Sequence, residues 1–179
     1  MIDVERSQFC MFKIGDHVVY GSKGVCAVAD ITQMKMPGAD EERPYYVLHP
    51  VWDNGARVYL PADSQKAVIR KVITEAEGRK LIEEIPAISC LDVAEDKKRE
   101  QDYKDAMRTC DCRLLVSLIK TLASRKEARI AAGKKNTALD ERYLRAAEHE
   151  LYDELAIALD QPKEEISLKI RSIIGIHEN

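Results

Sequence analysis

Residues 14–31 read Ile14-Gly15-Asp16-His17-Val18-Val19-Tyr20-Gly21-Ser22-Lys23-Gly24-Val25-Cys26-Ala27-Val28-Ala29-Asp30-Ile31. Two β-branched runs flank a short turn bounded by glycines, the pattern of an antiparallel strand pair. Working outward, Met36-Pro37-Gly38-Ala39-Asp40 breaks the chain, and Pro44-Tyr45-Tyr46-Val47-Leu48-His49 supplies a third run. Asp53-Asn54-Gly55 precedes a fourth, Arg57-Val58-Tyr59-Leu60. Asn-Gly suits the positive dihedrals of a type I′ hairpin, so a tight turn is predicted there. Five of the eight glycines and four of the six prolines lie before residue 62. Short strands about ten residues apart, separated by turns, predict a small antiparallel barrel over residues 11–70.

After residue 70 the hydrophobic period lengthens. Thr74-Glu75-Ala76-Glu77 is a capping-box sequence opening a helix that Pro86 ends. Residues 95–109 are polar and free of Gly and Pro, which predicts a second helix. Leu114, Leu115, Leu118, Ile119 and Leu122 mark a third, closed by Gly133. Leu139, Tyr143, Leu144, Ala147, Leu151, Leu155 and Leu159 mark a fourth, and Pro162 opens a fifth. The expected fold class is α+β: a barrel followed by an all-α bundle at 74–175.

The 179 residues carry 28 basic and 31 acidic side chains, a formal charge of −3. That total argues against a nucleic-acid partner, but its distribution does not. Residues 1–94 sum to −3, 95–135 to +5 and 136–179 to −5. Within 113–135, Arg113, Lys120, Arg125, Lys126, Arg129, Lys134 and Lys135 face a single acid, Glu127. Such a stretch is either a solvated face neutralised by the acidic fourth helix or a surface for phosphates.

Other classes find no support. No apolar run approaches the roughly 18 residues of a membrane span. The first ten residues hold Asp3, Glu5 and Arg6 without an apolar core, so no secretory signal is expected. Cys10, Cys26, Cys90, Cys110 and Cys112 are scattered and odd in number, which predicts free thiols in a reducing cytoplasm and no zinc site. His17, His49, His149 and His177 fall in different elements, and no Ser or Cys sits in a nucleophile turn, so no enzyme and no cofactor are expected. Gly15, Gly21 and Gly24 lack the Lys-Ser/Thr of a phosphate loop.

The stretch Met11-Phe12-Lys13-Ile14-Gly15-Asp16-His17-Val18-Val19-Tyr20, with Gly24-Val25, Tyr45-Tyr46-Val47-Leu48 and Val58-Tyr59-Leu60-Pro61, resembles the CarD/CdnL family of bacterial transcription regulators. Residues 125–135 and 150–159 are similar to that family's helical half. The resemblance implies a Tudor-like or SH3-like barrel that binds the RNA polymerase β subunit. It implies a helical domain that binds promoter DNA at the upstream edge of the minus-ten element, with the two together stabilising the open complex. The expected protein is a cytoplasmic monomer, nucleoid-associated through polymerase, with no membrane partner.

Carried onto this chain, the polymerase-binding set is Met34, Lys35, Met36, Arg57 and Tyr59. Relatives often place arginine at or near Met34 and Tyr59, so this interface is more apolar; barrel core is the other reading of Met34 and Tyr59. The DNA-binding set is Leu91, Val93, Lys97, Lys98, Arg99, Arg125, Lys126, Arg129, Lys134 and Lys135. Many relatives wedge a tryptophan into the minor groove from the start of the DNA-binding helix. Here residues 88–94 contain no aromatic, and the only tryptophan, Trp52, sits in the barrel as a loop-packing residue. Leu91 and Val93 are either weaker wedges or the apolar residues that dock the helix start. A protein-only adaptor that contacts polymerase without a DNA wedge is the alternative function.

Overall fold

The computed structural model describes residues 11–35, 37, 43–53, 55–64, 67–93 and 98–176. The chain divides between Val72 and Ile73 into two units. In the first, β1 (His17–Tyr20), β2 (Val25–Met34), β3 (Arg43–Pro50), β4 (Val58–Pro61) and β5 (Ile69–Lys71) form one antiparallel sheet. Its order is β4-β3-β2-β1-β5. The sheet wraps one core of Phe12, Val18, Cys26, Val28, Tyr46, Leu48 and Leu60. This is a Tudor/SH3-like β unit ahead of a helical one. The Tyr46 hydroxyl accepts the Phe12 N–H at 3.2 Å, and the two rings pack tilted with centroids 5.6 Å apart. The buried tyrosine therefore keeps its polar end satisfied inside the core.

One irregularity keeps the alternation of β2 useful. Cys26 and Val28 point into the core, so strict period-two continuation would bury Asp30. The register slips instead, from Val28↔Leu48 to Asp30↔Val47, and Ala29 is the extra residue. This bulge turns Asp30 outward and brings Ile31 onto the core face opposite Tyr46.

Two sequence expectations change. The β3–β4 link runs from residue 51 to 57, and Gly55 does not take the positive φ that a type I′ turn requires. Asp53 organises it instead, its Oδ1 accepting the Gly55 N–H at 3.2 Å, an Asx turn; Asn54 lies outside the described residues. The second is β5, which the sequence reading did not anticipate and which pairs with β1 through Tyr20↔Ile69 and Val18↔Lys71.

The helical unit contains α1 (Glu75–Glu84), α2 (Arg99–Arg108), α3 (Cys112–Ala131), α4 (Ala138–Leu159) and α5 (Lys163–Ile174). Thr74 caps α1 with the full box: it accepts the Glu77 N–H, and the Glu77 carboxylate accepts the Thr74 N–H at 2.7 Å. Gly78 lets α1 approach α4, because a Cβ there would stand 3.2 Å from the Leu159 Cδ2. α3 ends in a Schellman closure. Gly133 adopts φ +69°, its N–H reaches the Ile130 carbonyl at 2.9 Å, and the Lys134 N–H reaches the Arg129 carbonyl at 2.8 Å. The core between the helices is made by residues such as Ile85, Leu115, Leu118, Leu122, Leu151, Leu155 and Ile166, all nearly inaccessible to water. Burial of each such side chain stabilises the fold by about 1.5–3 kcal/mol. No described helix is long and apolar enough to cross a membrane.

Candidate interaction surfaces

Besides the outer edge of β5, the sheet offers two unpaired stretches of backbone among the described residues. β4 is an edge strand, hydrogen-bonded only to β3 among the described residues. β1 leaves β2 after Ala27, so Asp30–Met34 is paired on the β3 side alone. Unpaired N–H and C=O groups of this kind are templates for strand addition.

The register assigns the side chains. Tyr59 pairs with Val47 and Met34 with Arg43, which puts both on the face opposite Tyr46 and Leu60. Neither is in the barrel core: Tyr59 is 46% exposed and Met34 half-buried. Lys35 and Arg57 are exposed; Met36 lies outside the described residues. β3 separates Met34 from Tyr59, so the expected polymerase-binding set spans two flanks of one sheet face. Trp52, 51% exposed, stands in the β3–β4 loop.

The basic stretch divides into two groups. Arg113 is ion-paired with Glu84. The Lys120 ammonium donates to the carbonyls of Ile85 at 3.1 Å and Pro86 at 3.2 Å, and to that of Ile88. Arg99 and Arg125 both turn to Asp140, each with Nε 3.6 Å from one of its oxygens. The Asp140 carboxylate is completely buried, and it also accepts the Tyr103 hydroxyl at 3.3 Å. Burial, then the Asp140 charge, push the Tyr103 phenol up to about 12, with both arginines opposing. These four cations are thus committed to interior or neighbouring groups. Arg99 and Arg125 form a node tying α2, α3 and α4 together, where the sequence suggested open phosphate contacts.

The remaining cations gather where α3 ends. Lys134 and Lys135 are exposed, and Lys126 and Arg129 are half-buried. The Arg129 Nε donates to the Lys135 carbonyl at 2.8 Å and pins the turn. Lys98 is exposed immediately before α2; Lys97 lies outside the described residues. The first turn of α4 neutralises only part of this surface: Asp140 serves Arg99 and Arg125, and Glu141 pairs with Arg145 at 3.1 Å. The hydrogen bond from Arg145 holds the Glu141 carboxyl below its usual range.

Leu91 and Val93 are half-buried and packed against the helical core. The segment leading to them is strapped onto α3. Ser117 Oγ donates to the Ser89 carbonyl at 2.8 Å, and the Leu91 N–H donates to Thr121 Oγ1 at 2.7 Å. Their position is that of docking residues. Sequence reasoning missed the Asp140 node and the Ser117–Thr121 strap. Asp140 reads as an ordinary acid three residues after the N-cap Thr137, and nothing local signals its burial. The strap had one legible signal, two hydroxyl residues four apart on an otherwise apolar helix face.

Residues 12–73 match the family model of the CarD-like/TRCF RID domain. That span contains all five strands. No curated protein matches the chain.

Proposed function

We propose that this chain, whose N-terminal unit is a CarD-like RNA polymerase-interacting domain, is a transcription factor that bridges polymerase and promoter DNA. The β unit would meet the polymerase β subunit by strand addition along β4 or the far half of β2. Tyr59, Met34, Lys35 and Arg57 would flank the added strand, and Met36 joins them by its place in the chain. Main-chain bonds would supply affinity, and the apolar Tyr59 and Met34 specificity. The matched domain type is non-catalytic, and the chain is read as a protein that performs no chemistry.

For the helical unit the reading is phosphate binding at the end of α3, beside the minus-ten element, which would stabilise the open promoter complex. One observation carries it: Lys134 and Lys135 stand exposed on a turn held by a Schellman closure and by Arg129 itself, with Lys126 on the last turns of the helix that leads into it. Such contacts position a protein on DNA without reading sequence. Arg99 and Arg125 would act behind them, holding the helices in place, and Lys98 would extend the surface. The protein would act as a monomer in the cytoplasm, reaching the nucleoid through polymerase.

A salt series on a promoter duplex tests this. Four phosphate contacts give a slope of about −3 to −4 in log K against log salt, or roughly a hundredfold loss between 50 and 200 mM. Absence of binding at 50 mM with polymerase binding intact would instead support the protein-only adaptor. That second reading is favoured by one observation: Leu91 and Val93 lie half-buried against the helical core, as residues that dock the segment would.

A further inference from the structure

Four acids fall within residues 148–154 of α4: Glu148, Glu150, Asp153 and Glu154. Three of them are almost wholly buried, and each of those has donors. Glu148 receives the Arg171 guanidinium at 3.0 and 3.3 Å and the Tyr152 hydroxyl at 3.1 Å. Asp153 meets the Lys163 ammonium and, at 2.7 Å, His149 Nδ1. Glu154 accepts the Ile73 N–H at 3.1 Å through one oxygen and the Cys112 thiol at 3.1 Å through the other. Ile73 is the first residue of the helical unit, so this carboxylate fixes the point where the chain enters it.

Glu150 differs from its three neighbours. Its Oε2 is buried with no hydrogen-bond partner among the described residues. The residues three and four positions on, which share its side of the helix, are Asp153 and Glu154. The charges that bear on it are those two acids. From α5, Lys163 is directed to Asp153 and Arg171 to Glu148; from α3, the Cys112 thiol goes to Glu154. Among the described residues, α1 brings no charge to bear on it. A half-buried carboxyl with one enclosed oxygen that lacks a donor, beside two further acids, is shifted toward its neutral form.

We propose that Glu150 is a proton-operated latch: neutral, it leaves Glu154 seated on the Ile73 amide, and ionised, it repels Glu154 and loosens the entry of the chain into the helical unit. The change is the loss of one proton from the Glu150 carboxyl to solvent. Burial first, then Asp153 and Glu154, push this group up to about 7, which places the change near neutral pH.

Amide hydrogen exchange on the full chain tests the latch directly. Protection of the Ile73 N–H, corrected for the intrinsic rate at each pH, should fall about tenfold between pH 6 and 8.5, the equivalent of one unit of coupling. In Glu150→Gln, which cannot ionise, protection should stay level across that range. A parallel fall in the variant, or level protection in the unaltered protein, overturns the proposal. Should the variant fail to fold, the ¹³C shift of the Glu150 side-chain carboxyl decides the question in the unaltered protein. A titration midpoint near 7 supports the latch; one below 5.5 overturns it.

Discussion

Replacing Asp140 with asparagine should destabilise the helical unit while strengthening its hold on DNA. The carboxylate is completely buried, lies 3.6 Å from both Arg99 and Arg125, and accepts the Tyr103 hydroxyl. Asparagine keeps an oxygen for Tyr103 but removes the charge. Stranding a buried partner typically costs about 3–5 kcal/mol. Here the two arginine side chains are 21% and 31% exposed and can swing toward water, so the loss is smaller, about 2 kcal/mol. For a unit of this size that lowers Tm by roughly 10 °C. The local charge of the node rises by one, so DNA affinity at low salt should increase and the salt slope steepen by about one contact. Calorimetric melts and a salt series on the same preparation read both effects. A melt unchanged to within about 0.5 kcal/mol, inside the range of an ordinary surface substitution, would refute the node. So would an Arg125→Ala cost that is the same with and without Asp140, because a real contact must show coupling.

Replacing Lys126, Lys134 and Lys135 together with alanine should flatten the salt slope by about 2–3 and leave sequence preference unchanged, as read by titrating two unrelated duplexes. Charge reversal at Lys35 and Arg57 should weaken binding to an isolated polymerase β lobe and spare DNA binding; equal loss of both would indicate misfolding. Stability should also depend on pH with a definite sign. Glu150 is raised in the folded state from an ordinary 4.5 to about 7, so its contribution is fully present below pH 4.5 and lost as pH rises through 7. Melts taken between pH 5 and 8 should therefore fall in the unaltered protein and fall less in Glu150→Gln. Thr74→Ala removes one half of the capping box on α1 and should cost about 1 kcal/mol in denaturant titration.

Much of the architecture is legible in the sequence because it rests on local signals. Thr74 and Glu77 stand three apart before an apolar period, and the structure makes both bonds of the box. Gly133 follows the last apolar turn of α3 and takes the positive φ that a Schellman closure needs. β5 was invisible because Ile69-Arg70-Lys71 has no alternation of its own; its strand character comes from the edge of β1. The Asn-Gly signal misled because a dipeptide preference acts only when the flanking strands are in register to use it. Here β3 and β4 end too far apart.

The surfaces were less legible than the fold. Counting charge located the basic stretch, but charge counts carry no direction. Arg125 and Lys126 are adjacent in sequence and both half-buried, yet one turns to the buried Asp140 and the other bears on Glu141 at the start of α4. Only the packing of α2, α3 and α4 around Asp140 decides which is which. On sequence alone Glu150 reads as one more acid on a solvated helix face, for the same reason. Its i+3 and i+4 neighbours were visible in the sequence; the enclosure of its carboxyl oxygen was not.

The strand order β4-β3-β2-β1-β5 bears on how the first unit folds. Three of its four pairings join consecutive strands and can zip from short turns. The fourth, β1 with β5, joins Tyr20 to Ile69 across the whole unit. Closing so long a loop costs chain entropy that is not repaid until the sheet exists to receive the strand. The β1–β4 meander should therefore form first and β5 dock last. Because β5 ends at Lys71, two residues before the helical unit begins, tension or opening that starts at that junction would strip β5 from β1 before it disturbs the meander.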